Sequence, residues 1–339
     1  MQAPGEGDVV KVPFTWKVTG WWQIGWSQEF PVGQVRALRF FDQDMVAWRA
    51  DDGELHVLEA HCRHLGAHIG HGGKVVGDCV QCPFHGWQWG PDGRNAAIPD
   101  QDKPNLSERL RVWPVQEQHG LVFLWHHPHG EPPAWEMLDI FDCYPQFDGP
   151  SAYFDPYPML TVRNVAEPVH PQIVLENSAD SAHFEFVHRA TVRPRVLHWS
   201  FDEHLWYFIA GWPDTSLDDP DAMRLKIHSK LFGLGGAITA FEGAQDHRVV
   251  FSTTPTGNGT SDMFYTIWWP RPPGDDSPHA PEDVRERVEK EFLSTVEDDL
   301  EIWRYQKWIE KPAYSKVDAK GYTALRKWSQ QFYDVPPDD

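Results

Sequence analysis

From about residue 15 to residue 126 the apolar positions fall in short runs, either continuous or alternating with polar ones. Trp21 to Trp26, Val35 to Phe41, Met45 to Arg49, Leu55 to Leu58 and Leu121 to Trp125 are such runs. Turn signals such as Asp51-Asp52-Gly53 and Pro91-Asp92-Gly93 separate them, so the pattern predicts a small antiparallel β domain over 15–126. A loop-rich insert sits between Leu58 and Val112. Residues 127–158, with Pro128, Pro132, Pro133 and Pro145, carry the punctuation of a linker, and the run His126-His127-Pro128-His129 reads as solvated. Beyond it, His204 to Trp212, Met223 to Leu231, His247 to Thr254 and Met263 to Trp269 predict a second antiparallel sheet. A Pro/Gly/Asp loop then leads into one long helix from about Glu282 to Ile309. The expectation is an α+β chain: an all-β first domain, then a sheet-plus-helix domain over 159–339.

Composition narrows the field. The 339 residues are 41% apolar, enough for two cores, and their net charge is −20, which disfavours nucleic acid and anionic membrane as partners. The mean hydropathy is negative. No run approaches the roughly 18 apolar residues of a membrane span; the longest candidate, Leu231 to Phe241, is short and glycine-rich. The amino-terminal MQAPGEGDVVKV lacks a leader pattern, so no membrane anchor is expected and cytoplasmic residence is the default. Gly233-Leu234-Gly235-Gly236 lacks the context of a nucleotide loop. With no nicotinamide or flavin domain in view, electrons must come from a separate protein. The 4 cysteines are too few for a disulfide framework. Three of them, Cys62, Cys79 and Cys82, crowd together beside histidines, which points to metal chemistry.

The crowded segment reads His61-Cys62-Arg63-His64-Leu65-Gly66 and then, with 17 residues between His64 and Cys82, Cys82-Pro83-Phe84-His85-Gly86-Trp87. Cys62 and Cys82 on one iron, with His64 and His85 on the other, make the ligand set of a Rieske 2Fe–2S centre. Gly66, Pro83 and Gly86 suit tight loops whose backbone approaches sulfur. The competing reading is zinc, because Cys79-x-x-Cys82 with Cys62 and a histidine also makes a tetrahedral set. On the Rieske reading Cys79 is a buried strand thiol, Cys143 has no visible role, and His68 and His71 lie outside the motif.

A second constellation follows in Glu176-Asn177-Ser178-Ala179-Asp180-Ser181-Ala182-His183-Phe184-Glu185-Phe186-Val187-His188. Two imidazoles and a carboxylate on one face of Fe(II) leave positions open for dioxygen and substrate. Asp180 and His183, at i and i+3, are expected to share a helix face. His183 and His188 are five apart, so the helix should end or distort between them. Helix geometry selects the carboxylate: at about 100° per residue, Phe292, Val296 and Trp303 fall within roughly 40° of one another, with Val288 close by. Asp299 lies inside that apolar stripe and Asp298 points away from it. A carboxylate on a buried face needs a partner or a metal, which makes Asp299 the third ligand.

With these residues in place the chain resembles the Rieske non-haem iron oxygenase α subunits. The passages closest to the oxygenase components of 3-ketosteroid 9α-hydroxylases and to the Rieske sterol 7-desaturases are Cys82 to Trp87, Glu176 to His183 and Leu325 to Tyr333. Asp299-Leu300-Glu301-Ile302-Trp303 resembles the family's D-x-x-I-W. Respiratory Rieske proteins carry an extra cysteine in each loop where this chain has Ala67 and Phe84. The resemblance implies a helix-grip type second domain, a Rieske cluster and a mononuclear iron held by His183, His188 and Asp299. Asn177 and Asp180 are the candidate catalytic residues. It implies a homotrimer in which Asp180 bridges His183 to His85 of the next chain, fed by a separate ferredoxin–NAD(P)H reductase, with nicotinamide used only there. The reaction implied is hydroxylation or desaturation of a steroid-like substrate with O2. Alternatives are ring hydroxylation or O- or N-demethylation of another bulky or aromatic substrate, and a non-catalytic electron-transfer protein. The aromatic strands Trp206 to Phe208 and Phe264 to Trp269 offer alternate residues to a substrate pocket.

Overall fold

The computed structural model describes residues 13–243, 246–257 and 259–333; the amino-terminal segment Met1 to Val12, searched above for a leader, lies outside the described residues. The first eleven strands are β1 (Gly20–Trp26), β2 (Val35–Phe40), β3 (Gln43–Arg49), β4 (Leu55–Glu59), β5 (Lys74–Val76) and β6 (Cys79–Gln81), then β7 (Gln88–Trp89), β8 (Asn95–Ala97), β9 (Val112–Trp113), β10 (Val115–Gln118) and β11 (Leu121–His126). They form three antiparallel sheets in the orders β1-β11-β10, β2-β3-β4-β9 and β5-β6-β7-β8. The last of these sheets fills the insert that looked loop-rich, because two- and three-residue strands leave no periodicity to read.

The remaining strands make one seven-stranded antiparallel sheet, β12-β18-β17-β16-β15-β14-β13. Its members are β12 (Thr161–Glu167), β13 (Arg195–Asp202), β14 (Leu205–Pro213), β15 (Met223–Phe232), β16 (Gly236–Gly243), β17 (Arg248–Gly257) and β18 (Thr260–Trp268). Helices α1 (Pro171–Leu175) and α2 (His183–Phe186) lie between β12 and β13, whereas α3 (Glu282–Val288), α4 (Ser294–Trp303) and α5 (Ala319–Ser329) follow β18. The apolar pattern finds β14, β15, β17 and β18, but not the glycine-led β16. It misses β12 and β13, which are the edge strands and are polar or exposed for that reason. The glycine cluster before β16 is a hairpin turn, with Gly233 at φ +66°. A Cβ on Gly235 would lie 1.9 Å from the Trp21 carbonyl oxygen, so glycine there permits β1 to approach the sheet.

Period-two alternation gives the large sheet two working faces. Ile238, Val250, Phe264 and Trp268 point toward the first domain and are buried. Trp26 Nε1 donates to Thr266 Oγ1 at 2.9 Å, and Thr254 Oγ1 donates to the Gln23 carbonyl at 2.6 Å. β1 is thus covered on both sides, which explains its unbroken apolar run. The opposite face carries the helices. The segment 127–158 packs along the sheet rather than hanging free: Met137, Ile140, Phe141, Tyr144 and Phe154 are buried. Arg248 donates to the Ile140 carbonyl, Lys230 donates to that of Cys143, and Tyr144 Oη donates to the carbonyls of His228 and Ile238.

The expected helix from Glu282 to Ile309 runs continuously but ends at Trp303, and Glu289–Leu293 forms a π-helical turn within it. The wider turn shifts the helical phase. Val288 and Phe292 pack on Phe154, Leu160 and Trp269, whereas Val296, Leu300 and Trp303 pack on Val169, Val174 and Met263.

His126 corrects the reading of 126–129 as a solvated run: it is fully buried, stacked on Phe41 at 3.8 Å, and its Nδ1 donates to the Val18 carbonyl at 2.8 Å. His170 is equally buried; its Nδ1 accepts from Gln172 N–H and its Nε2 donates to the Thr15 carbonyl. Burial lowers both imidazoles to about 3. An unfolded histidine titrates near 6.5, so the unfolded chain binds more protons than the folded one between those values. The stability that depends on neutral imidazoles is full above pH ~6.5 and is lost as pH falls toward ~3. The unfolding free energy from urea titration is expected to drop between pH 7 and pH 5 by up to about 1.4 kcal/mol per histidine per pH unit. The variant His126→Asn should flatten that slope; an identical slope in the variant would remove His126 from the account.

Candidate functional site

Two loops of the first domain have the same hydrogen-bonded form. In one, Gly66 N–H donates to the Cys62 carbonyl and Cys62 N–H to that of Ala67; in the other, Gly86 donates to Cys82 and Cys82 to Trp87. Gly66 and Gly86 both have positive φ, +75° and +71°, a conformation that favours glycine. The loops bury the sulfurs of Cys62 and Cys82 and leave His64 and His85 exposed, their ring centroids 4.6 Å apart. His64 stacks on Trp87 at 4.7 Å, and Trp89 Nε1 donates to Cys62 Sγ at 3.4 Å. Burial, followed by the neighbouring Cys82, raises the Cys62 thiol, a cost that a bound metal removes by taking the thiolate. Leu65 and Phe84, 65% and 59% exposed, flank the two imidazoles.

The zinc alternative fares poorly. Cys79 is buried in β6, its thiol donates to Asp78 Oδ1 at 3.1 Å, and burial pushes it up to about 12. Among the described residues, Cys62, Cys79 and Cys82 with a neighbouring histidine do not bring three ligand atoms within one ion's reach.

The second centre lies on the helical face of the large sheet. There His183, His188 and Asp299 bring ligand atoms within 4.8 Å of one another. His188 Nε2 is 3.5 Å from Asp299 Oδ2, and Asn177 Nδ2 donates to Asp299 Oδ1 at 3.4 Å. The Nδ1 atoms of both histidines are buried without a hydrogen-bond partner. Burial lowers His183, keeping its ring neutral and fit to bind metal. Two neutral imidazoles and one carboxylate suit Fe(II) with open positions. Asp298 lies outside, 3.6 Å from Arg189 at the surface.

The local structure around Asp180 differs from the expectation. Asp180 and His183 do not share a helix: Asp180 is extended (φ −114°, ψ 115°) and stands ahead of α2. Its Oδ1 accepts from the N–H groups of Ala182 and His183 at 2.7 and 3.2 Å. A short polar side chain competing for backbone donors favours this cap over helix continuation. Asp180 Oδ2 is 3.8 Å from His183 Nδ1 and accepts from Tyr322 Oη at 3.1 Å. The helix α2 ends at Phe186, between the two histidines as their spacing requires.

The carboxy-terminal helix fastens this segment. Arg326 makes two 2.8 Å bonds to the buried carboxylate of Glu176 and lies over the Trp308 ring. Tyr333 Oη donates to Gln172 Oε1 at 2.6 Å. Tyr322 and Arg326 were not singled out by the sequence reading, although Arg326 lies in the passage Leu325 to Tyr333 noted there. Removing one partner of a buried ion pair typically costs about 3–5 kcal/mol. Arg326→Met is therefore expected to lower unfolding stability by that order in denaturant titrations, and Glu176→Leu in the same chain to restore most of it. An unchanged midpoint in the single variant would show that Glu176 is not held this way.

A 240 Å³ cavity opens beneath the second centre. Its roof holds His183, His188 and Asp299, and its floor is the sheet, with Phe208, Leu231, Ala237, Phe251 and Tyr265. Phe208 and Tyr265 are the alternate residues that the aromatic strands supply; Trp206 instead lines a neighbouring cleft. That cleft, 710 Å³, is walled by Asp180, Leu197, Trp199, Val317 and Lys320, and shares Ser178 with the cavity.

Comparison with known proteins follows the same division. Residues 20–116 match the Rieske [2Fe-2S] domain, and residues 124–333 match the 3-ketosteroid 9alpha-hydroxylase C-terminal domain. A 3-ketosteroid-9-alpha-monooxygenase oxygenase component from Rhodococcus rhodochrous is 28% identical, with 94% of this chain and 85% of the relative covered. The cholesterol 7-desaturase nvd of Xenopus laevis is also 28% identical, over 93% of this chain and 71% of the relative. Among solved structures, dicamba monooxygenase bound to dicamba superposes with a TM-score of 0.66 at 16% identity, covering 94% of this chain and 98% of that one. Pseudomonas putida NdmA with caffeine gives 0.65 at 18%, covering 94% and 97%. These two likenesses concern the fold.

Proposed function

Because the chain belongs to the 3-ketosteroid 9alpha-hydroxylase C-terminal domain family, joined to a Rieske [2Fe-2S] domain, we propose that it is an oxygenase component acting on an uncharged, steroid-like substrate. It is a Rieske non-haem iron oxygenase, and it takes its electrons from a separate reductase that uses NAD(P)H. The observation that carries the substrate reading is the cavity beneath the second centre. Two histidines and a carboxylate roof an apolar chamber in which no lysine or arginine is among the described lining residues. The lining thus offers no side-chain cation to pair with an acidic substrate, which an uncharged one does not need.

Cys62, His64, Cys82 and His85 would hold the 2Fe–2S cluster; His183, His188 and Asp299 would hold the iron. When bound, the two groups supply single electrons and O2 activation, which convert a C–H bond to an alcohol or, by a second hydrogen abstraction, to an alkene. The chain's own residues do the rest. Asn177 donates to Oδ1 of Asp299 and so orients the carboxylate. The apolar floor excludes water, and the sheet residues orient the substrate below the open side of the site. Asp180 is fixed by two backbone donors and Tyr322.

The same reading gives a head-to-tail homotrimer. The exposed His64 and His85, with Leu65 and Phe84 beside them, form an apolar-edged tip. The cleft beside Asp180, edged by Leu197 and Val317, is the concave counterpart on the next chain. Asp180 would then connect His183 to the partner subunit's His85. Residues 15–126 would act as the electron-carrying domain, 127–158 as the connecting strap and 159–339 as the catalytic domain. Among the described residues no helix is long and apolar enough to cross a membrane, and the reading places the enzyme in the cytoplasm.

The test is product analysis with an added reductase and a panel of 3-ketosteroids, sterols, aromatic acids and methylated purines. Hydroxylated or desaturated steroid is expected. Turnover confined to demethylation of the aromatic compounds would overturn the steroid reading.

A further inference from the structure

The floor of the cavity has one polar spot whose bonding is incomplete. Ser229 on β15 and Thr239 on β16 are direct cross-strand partners, and Phe208 on β14 lies opposite Ser229 in the same row. Their side chains therefore share the cavity face, and both line the chamber that the three candidate ligands roof. The two hydroxyls are 2.5 Å apart, and Ser229 is only 4% exposed. Three other polar side chains around the chamber have partners in the chain. Ser178 Oγ donates to the Leu175 carbonyl, Thr295 Oγ1 to that of Phe292, and Asn177 to Asp299.

Two hydroxyls carry two protons, and the bond between them uses one. Whichever hydroxyl acts as acceptor keeps a proton, and no other hydrogen bond of Ser229 or Thr239 side chains exists among the described residues. Ser229 is buried and Thr239 half-buried, so the spare proton opens onto the cavity, and a buried donor left unpaired costs on the order of 1–3 kcal/mol. The residues around the pair are apolar, so the missing acceptor must come from whatever fills the cavity. No lysine or arginine is among the described lining residues, so the floor offers a carboxylate or phosphate no side-chain cation.

We propose that the Ser229–Thr239 pair is the polar anchor of the substrate site, donating one hydrogen bond to an uncharged carbonyl oxygen of a hydrophobic ligand. The anchor fixes which part of the ligand rests on the floor and hence which carbon faces the roof. This inference rests on the reading of the cavity as the substrate site and names the group that the site recognises. The pair forms only when two strands register, and two hydroxyl residues ten apart carry no motif.

The test compares ketones with their oxygen-free counterparts by equilibrium dialysis against the metal-loaded, oxidised protein without reductase. The ligands are 5α-androstan-3-one, 5α-androstan-17-one and 5α-androstane, together with the smaller 2-decalone and decalin. At least one ketone of each size is expected to bind the unmodified protein about five- to tenfold more tightly than its hydrocarbon, the range of one neutral hydrogen bond. In Ser229→Ala/Thr239→Val, where both polar partners give way to apolar groups of similar shape, the preference should fall to about unity while hydrocarbon binding persists. Thr239→Ser should retain the preference, which separates hydroxyl chemistry from cavity shape. A ketone preference that is absent from the start, or that survives the double variant, would overturn the anchor. If 2-decalone shows the preference but no steroid binds, the anchor stands and the steroid reading falls. Binding of none of the five overturns both.

Discussion

Replacing Asp299 with alanine is expected to release one iron of about three per chain while leaving about two irons and two sulfides in place. Three groups converge at this site, and Asp299 is their one carboxylate. Without it, two neutral imidazoles face the metal with no charge to balance it. Losing an outer-shell partner already costs about 10–100-fold in metal affinity or activity, so loss of a direct ligand should exceed that range. Product formation should fall below detection, while the visible spectrum and the EPR signal of the reduced cluster remain. Asp298→Ala is the matched control: its contact with Arg189 is 3.6 Å and lies at the surface, where such pairs are worth about 0–1 kcal/mol. Equal iron loss in both variants would mean that the helix, rather than the carboxylate, is responsible.

Asp180→Asn should give a different failure. Iron and sulfide content are expected to stay at the unmodified level, because Asp180 Oδ2 stands 3.8 Å from His183 Nδ1, outside the set of three. Turnover should nevertheless drop on the order of 100-fold, the scale on which small misplacements of a reacting arrangement are felt. In stopped-flow mixing with reduced reductase the cluster should still be reduced at the normal rate. Substrate oxidation, rather than cluster reduction, should become the slow event. A variant whose cluster itself is slow to reduce would place Asp180 elsewhere in the path.

Both sites lay close to the surface of the sequence, for different physical reasons. The proposed cluster ligands sit in two loops of matching hydrogen-bonded form, whose glycines at Gly66 and Gly86 are visible as residues. Asp299 separates from Asp298 because Val296, Asp299 and Trp303 belong to one regular helical segment; the π turn at Glu289–Leu293 lies before it and leaves their phase intact. What the pattern misses depends on distant partners. His126 is buried by Phe41 and Val18, far away in the chain. Asp180 caps backbone donors two and three residues on, an outcome that i,i+3 spacing alone does not distinguish from a shared helix face. The edge strands β12 and β13 lack the apolar signal of their neighbours. The Ser229–Thr239 pair exists only through strand register.

The most direct measurement of the central claim, that the cluster feeds a substrate-oxidising iron site, is a single turnover without reductase. The fully reduced, metal-loaded protein is mixed with O2 and a 3-ketosteroid, and product and EPR signal are followed together. The expected result is oxidised steroid approaching about one per chain, formed as the signal of the reduced cluster disappears, since one product requires two electrons and the two centres store one each. Loss of the signal at the same rate with no steroid product, whether or not the steroid is present, would contradict it.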